Sequence, residues 1–134
     1  MKSTSVWKGQ YKSVVDNGKG HSVTVDLPAN YGGTNEGPTS FELCLMSLSG
    51  CISTIFAMMA EKMRLTFESL DVTIEAEKPK DAPTFTEVYI MVNIKTTENH
   101  DKIEKCLEQT VKTCPVGVLF RQAGIKMERE LNFL

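Results

Sequence analysis

Residues 37–63, GPTSFELCLMSLSGCISTIFAMMAEKM, constrain this chain more than any other stretch. Thr39 and Glu42 fit a capping box, in which the Thr hydroxyl and the Glu carboxylate each satisfy an orphan backbone amide at a helix start. The helix that follows runs for about seven turns. Phe41, Leu43, Leu45, Met46, Leu48, Ile52, Ile55, Phe56, Ala57, Met58, Met59, Ala60 and Met63 leave it almost no wide polar face. A helix that is hydrophobic all round is normally buried on all sides. Glu42, Ser47, Ser49, Ser53 and Thr54 interrupt the run, so a membrane span is not expected. In a chain of 134 residues, such a helix requires that the rest of the chain wrap it or that a second copy help to cover it. Cys51 at its midpoint is then either inert core or a protected reactive thiol.

The length predicts a single domain over residues 1–134, large enough for one real core. Net charge is −2 and charged residues make up 24%. Basic residues are scattered, so no nucleic-acid footprint is expected. Residues 1–7 lack an apolar signal-peptide core, which predicts a cytoplasmic rather than a secreted protein. Four cysteines at positions 44, 51, 106 and 114 form no CxxC pair, and His21 and His100 stand far from them in sequence. Neither a disulfide scaffold nor a metal site is expected.

In chain order, residues 7–15 read as one strand, with Trp7, Gly9, Tyr11 and Ser13 in one phase. Asp16-Asn17-Gly18-Lys19-Gly20 is a hairpin turn, because Asn and Gly tolerate positive φ. Residues 21–26 return as a strand. Residues 27–38, rich in Gly, Pro and Asn, deliver the chain to the central helix. Beyond it, Leu70, Val72, Ile74 and Ala76 alternate with polar residues, as in a half-buried strand. Residues 85–95 form the next strand, with Val88, Ile90, Val92 and Ile94 on one face. Residues 99–113 read as a helix capped by Asn99, with Ile103, Leu107 and Val111 on one side. Cys114-Pro115 breaks it, residues 116–122 form a short helix, and Gly124 ends it. Residues 125–133 alternate as a closing strand. The order ββ-α-ββ-α-α-β describes an α+β domain of antiparallel sheet and a central helix.

Cys51 and Cys114 are the residues that could carry chemistry. Cys114 precedes a helix start, where free amides and the positive dipole end favour a thiolate. Cys51, in apolar surroundings, needs donors from elsewhere to be reactive. Gly50 beside it signals close approach of something to the helix backbone. Cys44 and Cys51 are separated by a rise of roughly 10 Å along one helix and cannot bond to each other. Spacing leaves the other pairings open, Cys51–Cys114 being one long-range choice. Buried cysteines are most often packing residues, and Cys44 and Cys106 are read as core.

The run Gly32-Gly33, Glu36-Gly37-Pro38-Thr39-Ser40-Phe41-Glu42-Leu43-Cys44 and Ser49-Gly50-Cys51, with Cys114-Pro115-Val116 after a later helix, resembles the OsmC/Ohr family. These are the osmotically inducible protein C and organic hydroperoxide resistance proteins. The resemblance covers essentially the whole chain and implies the OsmC-like fold, an intertwined homodimer whose sheets enclose two long central helices. It implies a thiol peroxidase that reduces organic hydroperoxides and, less efficiently, hydrogen peroxide. By that resemblance Cys51 is the peroxidatic thiolate, which becomes a sulfenic acid, and Cys114 is the resolving thiol that condenses with it to a disulfide. A dithiol or lipoyl-type reductant restores both, and no metal or organic cofactor is implied.

The chain departs from the family's pattern at two places. The peroxidases hold the thiolate with an N-terminal Arg and a Glu near the start of the central helix. Here no Arg precedes Arg64, and Phe41 stands where the Glu is expected. Glu42 lies nine residues before Cys51, on roughly the opposite helix face at about 100° per residue. Lys8 or Lys12 offers charge without the planar fork of Arg. The chain therefore looks closer to the OsmC-like branch than to the hydroperoxide resistance branch. The alternative function is a non-enzymatic dimer of the same fold that binds a small apolar ligand or senses redox state.

Overall fold

The computed structural model describes residues 1–134 and divides into two compact units, Met1–Cys44 and Leu45–Leu134. The first unit opens with three strands, β1 (Thr4–Gly9), β2 (Lys12–Asp16) and β3 (Ser22–Val25), in one antiparallel sheet of that order. The single strand expected over residues 7–15 is thus two. The chain reverses where Gly9 has φ 107° and Gln10 φ 47°, and the Trp7 indole N–H donates to Gln10 O at 2.9 Å across the turn. A lone Gly inside an alternating run reads as a bulge, and the period-2 phase of Trp7, Gly9, Tyr11 and Ser13 carries through it. The turn at Asn17-Gly18 forms as expected, with the Asn17 carboxamide oxygen accepting from Lys19 N at 2.9 Å.

Asp26 closes the stretch read from sequence as the return strand. It is 2% exposed, and its carboxylate gathers the following loop. It accepts from Leu27 N at 2.8 Å, Thr34 N at 3.1 Å, Thr34 Oγ1 at 2.7 Å and Glu36 N at 3.2 Å. These bonds, the Thr34 hydroxyl first, hold its pKa at about 2, well below the carboxylate range. The loop folds back so tightly that a Cβ on Gly33 would lie 1.9 Å from Leu27 O, and one on Gly37 2.0 Å from Thr24 O. Only glycine fits either position. The long helix α1 (Ser40–Met63) follows. Its capping box is formed: Glu42 N donates to Thr39 Oγ1 at 3.2 Å and Thr39 N donates to Glu42 Oε2 at 2.7 Å.

In the second unit, the rest of α1 is followed by β4 (Ser69–Glu77), β5 (Glu87–Lys95), α2 (His100–Thr113), α3 (Pro115–Gln122) and β6 (Lys126–Phe133). β4 and β5 form an antiparallel pair from Ser69↔Lys95 to Glu77↔Glu87. β6 joins β5 in parallel, from Glu87↔Lys126 to Ile94↔Phe133, which corrects the antiparallel expectation. The crossover through α2 and α3 brings the chain back to the start of β5, and such a return yields a parallel neighbour. The core combines Leu48, Ile52, Phe56 and Ala60 of α1, Val88, Ile90, Val92 and Ile94 of β5, and Ile103, Cys106 and Leu107 of α2. Each fully buried large aliphatic or aromatic side chain contributes about 1.5–3 kcal/mol.

The four buried α1 residues recur every fourth position and so make one stripe rather than a full circumference. Phe41, Met46 and Met58 are 43%, 55% and 50% exposed. Within one chain, α1 is therefore buried along that stripe only; of the two expectations, cover by the rest of the chain or help from a second copy, the first is met on one side. Cys44, expected in the core, is exposed, while Cys106 is buried as expected. By length and composition alone, α1 could cross a membrane.

Candidate active site: a thiol pair at a helix break

Cys51 lies on α1 one residue before the buried Ile52 and is itself half-buried, packed against the core. Cys114 ends α2 and caps α3, and it is fully buried. The fold brings the two sulfurs to 2.7 Å, with the Cys114 thiol donating toward Cys51 Sγ. A disulfide needs about 2.05 Å, so less than an ångström of movement separates the two thiols from a bond. Of the pairings left open by spacing, this is the one the structure brings together. Cys44 is on the exposed surface, and Cys106 points its sulfur at Phe56 O, 3.9 Å away.

The helix break explains where Cys114 points. Pro115 has no N–H and cannot continue α2, but it suits the first turn of α3. Cys114 itself takes φ −56° and ψ 116°, which swings the chain into the new helix and leaves the first amides of α3 facing the sulfur. Gly117 N donates to Cys114 Sγ at 3.4 Å. Those amides would favour a thiolate, as expected from sequence, but burial outweighs them. Desolvation first, and the hydrogen bond to Cys51 second, push the Cys114 thiol up to about 11. At pH 7 it therefore carries its proton, which corrects the expectation of a thiolate there.

Other residues singled out in the sequence take no part in the pair. A Cβ on Gly50 would meet nothing within 4 Å, so the expected close approach does not occur within this chain. The Glu42 carboxylate is engaged in the capping box. Lys12 is paired with Glu36 at 2.9 Å, and Lys8 is exposed on β1. No group of three or more His, Cys, Asp or Glu side chains is placed to hold a metal ion.

A family model described as OsmC-like protein matches residues 33–130. A search of curated protein sequences finds no match. Among solved structures, the chain is similar to an OsmC-like protein from Mycoplasma pneumoniae, with 14% identity and a TM-score of 0.89 over 99% of this chain and 96% of that one. It is also similar to an organic hydroperoxide resistance protein from Elizabethkingia anophelis, at 15% identity and a TM-score of 0.75 over 98% and 94% of the two chains. A third is the organic hydroperoxide resistance protein OsmC from Legionella pneumophila, described as a predicted redox protein and regulator of sulfide bond formation. It shares 14% identity and a TM-score of 0.72 over 98% and 97%. At these identities the likeness establishes the fold.

Proposed function

The chain belongs to the OsmC-like family, and from that premise we propose that it is a cysteine-based peroxidase that reduces organic hydroperoxides. The observation that carries this reading is the thiol pair: two sulfurs 2.7 Å apart, one half-buried and one fully buried. Their unequal exposure supports distinct roles for the two. The half-buried Cys51 is the more accessible to a hydroperoxide, and Cys114 is fully buried. Cys51, as thiolate, attacks the terminal oxygen of ROOH. The S–O bond forms as the O–O bond breaks, and the departing alkoxide takes a proton to leave as ROH. The sulfenic acid on Cys51 is then attacked by the Cys114 sulfur. The S–S bond forms, the S–O bond breaks, and the Cys114 proton leaves with the hydroxide as water. A dithiol or lipoyl-type reductant exchanges with the disulfide, is itself oxidised, and returns both thiols.

The hydrogen bond from Cys114 supports this order. The protonated, buried Cys114 thiol donates to the Cys51 sulfur at 2.7 Å, which keeps the second sulfur in line for the sulfenic acid. The exposed Phe41, Met46 and Met58 of α1 support a homodimer in which a second copy covers this face. That reading also makes α1 a core helix rather than a membrane span. The cytoplasm, where dithiol reductants keep thiols reduced, is the compartment that suits this chemistry.

The test is consumption of tert-butyl hydroperoxide with dithiothreitol by the wild type and by Cys51→Ser. Equal rates would overturn the proposal, and peptide mapping after one equivalent of peroxide should find the Cys51–Cys114 linkage. The second reading is a dimer that senses redox state or binds a small apolar ligand without turnover. It is favoured by one observation: Glu42 is occupied by its capping box and no Arg precedes Arg64. Formation of the disulfide with stoichiometric peroxide but no catalytic consumption would select it.

A further inference from the structure

At the Cys114-Pro115 break, the last turn of α2 loses its partners. In a continuous helix, Val111 O would accept from the amide of residue 115, but Pro115 has none. Lys112 O would accept from Val116 N, but the turn at Cys114 carries that amide away toward the sulfur side of α3. Both carbonyls are instead met by one side chain from the far end of α3. Arg121 Nη1 donates to Val111 O at 2.8 Å and Nη2 donates to Lys112 O at 2.8 Å. The planar guanidinium fork spans two adjacent carbonyls at once, which an ammonium cannot do.

We propose that Arg121 is a positioning residue for the thiol pair: its fork clamps α3 back onto the open end of α2 and so fixes the bend at whose vertex Cys114 faces Cys51. The clamp closes a short loop of chain, from residue 111 to residue 121, with Cys114 inside it. Cys114 N is bonded to Thr110 O at 2.8 Å and Val118 N to Cys114 O at 2.9 Å, one bond into each helix. Neither of these bonds crosses the bend; the Arg121 fork does. Without it, only the packing of Phe120 and Cys114 into the core resists hinging of α3 about Cys114. The 2.7 Å approach of the sulfurs then becomes one of several arrangements, and the effective concentration of one thiol at the other falls.

The inference rests on the peroxidase reading for its purpose but not for its measurement. The equilibrium between the Cys51–Cys114 disulfide and dithiothreitol is measured without peroxide, in wild type, Arg121→Ala, Arg121→Lys and Arg129→Ala. Arg129 is the control because it also ties two elements, pairing with Glu104 at 2.9 Å, but away from the break. Two hydrogen bonds from a charged donor to exposed helix-end carbonyls predict that Arg121→Ala shifts the equilibrium toward dithiol by about three- to tenfold. Arg121→Lys should shift it in the same direction by less, and Arg129→Ala should leave it unchanged. If Arg121→Ala loses its fold, Arg121→Lys carries the test. A change of under twofold in the folded Arg121 variant, or an equal shift in Arg129→Ala, overturns the proposal. A merely structural role would lower the melting temperature without moving the disulfide equilibrium. If the wild type consumes no peroxide but the equilibrium still shifts, the peroxidase reading fails and the clamp stands. If the wild type forms no Cys51–Cys114 disulfide under any oxidant, both fall.

Discussion

Cys106 and Cys114 stand eight residues apart on the same stretch of chain. Both are fully buried, and desolvation pushes both thiols above the usual cysteine range. What separates them is the backbone. Cys106 sits inside α2, where every amide already serves the helix, and its sulfur is left facing Phe56 O at 3.9 Å. Cys114 sits where the helix stops, with freed amides on one side and Cys51 Sγ at 2.7 Å on the other. Burial is common to both and identifies neither. A helix break supplies what a helix interior cannot: unspent donors, and a direction for the side chain that is not set by the helix surface.

The largest test of this contrast is a set of three substitutions. Cys51→Ser should reduce peroxide consumption on the order of 10³-fold or more, as expected when the nucleophile itself is removed. Cys114→Ser should retain one turnover, leaving a Cys51 sulfenic acid that dimedone traps, but no intramolecular disulfide. Cys106→Ala should keep both activity and disulfide while losing about 1 kcal/mol of stability in thermal melts. Loss of the disulfide in Cys106→Ala would erase the distinction between the two buried cysteines.

Pro115→Ala is expected to act next most strongly. It returns an amide to Val111 O and lets α2 run on, so rapid-quench measurement should find disulfide formation slowed by about tenfold. An unchanged rate would mean that the break does not aim the sulfur.

The pH dependence sharpens the contrast further. An unfolded cysteine ionises near 9.0, whereas folded Cys114 keeps its proton to about 11. Its contribution to the reduced protein's stability is whole below 9.0 and is lost as pH rises through about 11. Urea melts across this window should slope downward in wild type and more gently in Cys114→Ser. The smallest effect lies outside the thiol region. Asp26 ionises near 3.8 when unfolded and at about 2 when folded. Its contribution is present above 3.8 and fades as pH falls toward 2. Asp26→Asn should flatten that acid limb, and hydrogen exchange at Thr34 and Glu36 should quicken.

Much of this was legible in residue order. The capping box of Thr39 and Glu42, the alternation in β4 and β5, the Asn99 cap and the Pro115 break are written within a few positions of where they act, and each formed as read. The turn at Gly9-Gln10 was missed because a lone Gly in an alternating run reads as a bulge rather than a reversal, and the alternation continued across it. Arg121 was missed because its partners are carbonyls, which leave no trace in a sequence. The absent N–H of Pro115 was the available signal, since a proline at that position orphans Val111 O wherever α2 extends to it. Asp26 was read only as the last residue of the return strand, although a buried Asp between a strand and a Gly-rich loop has few roles other than gathering amides.

The amino-acid sequence alone determined the long apolar helix, the strands and breaks around it, the α+β class, and the two cysteines worth watching. Those depend on periodicity and on backbone groups a few residues apart. The tertiary structure decided that α1 buries only the stripe of Leu48, Ile52, Phe56 and Ala60, that β6 runs parallel to β5, and that Cys114 keeps its proton. It also decided that Cys51 and Cys114, 63 residues apart, meet. The physical reason is the same in each case: desolvation and contact are properties of the atoms that surround a group, and those atoms come from elsewhere in the chain.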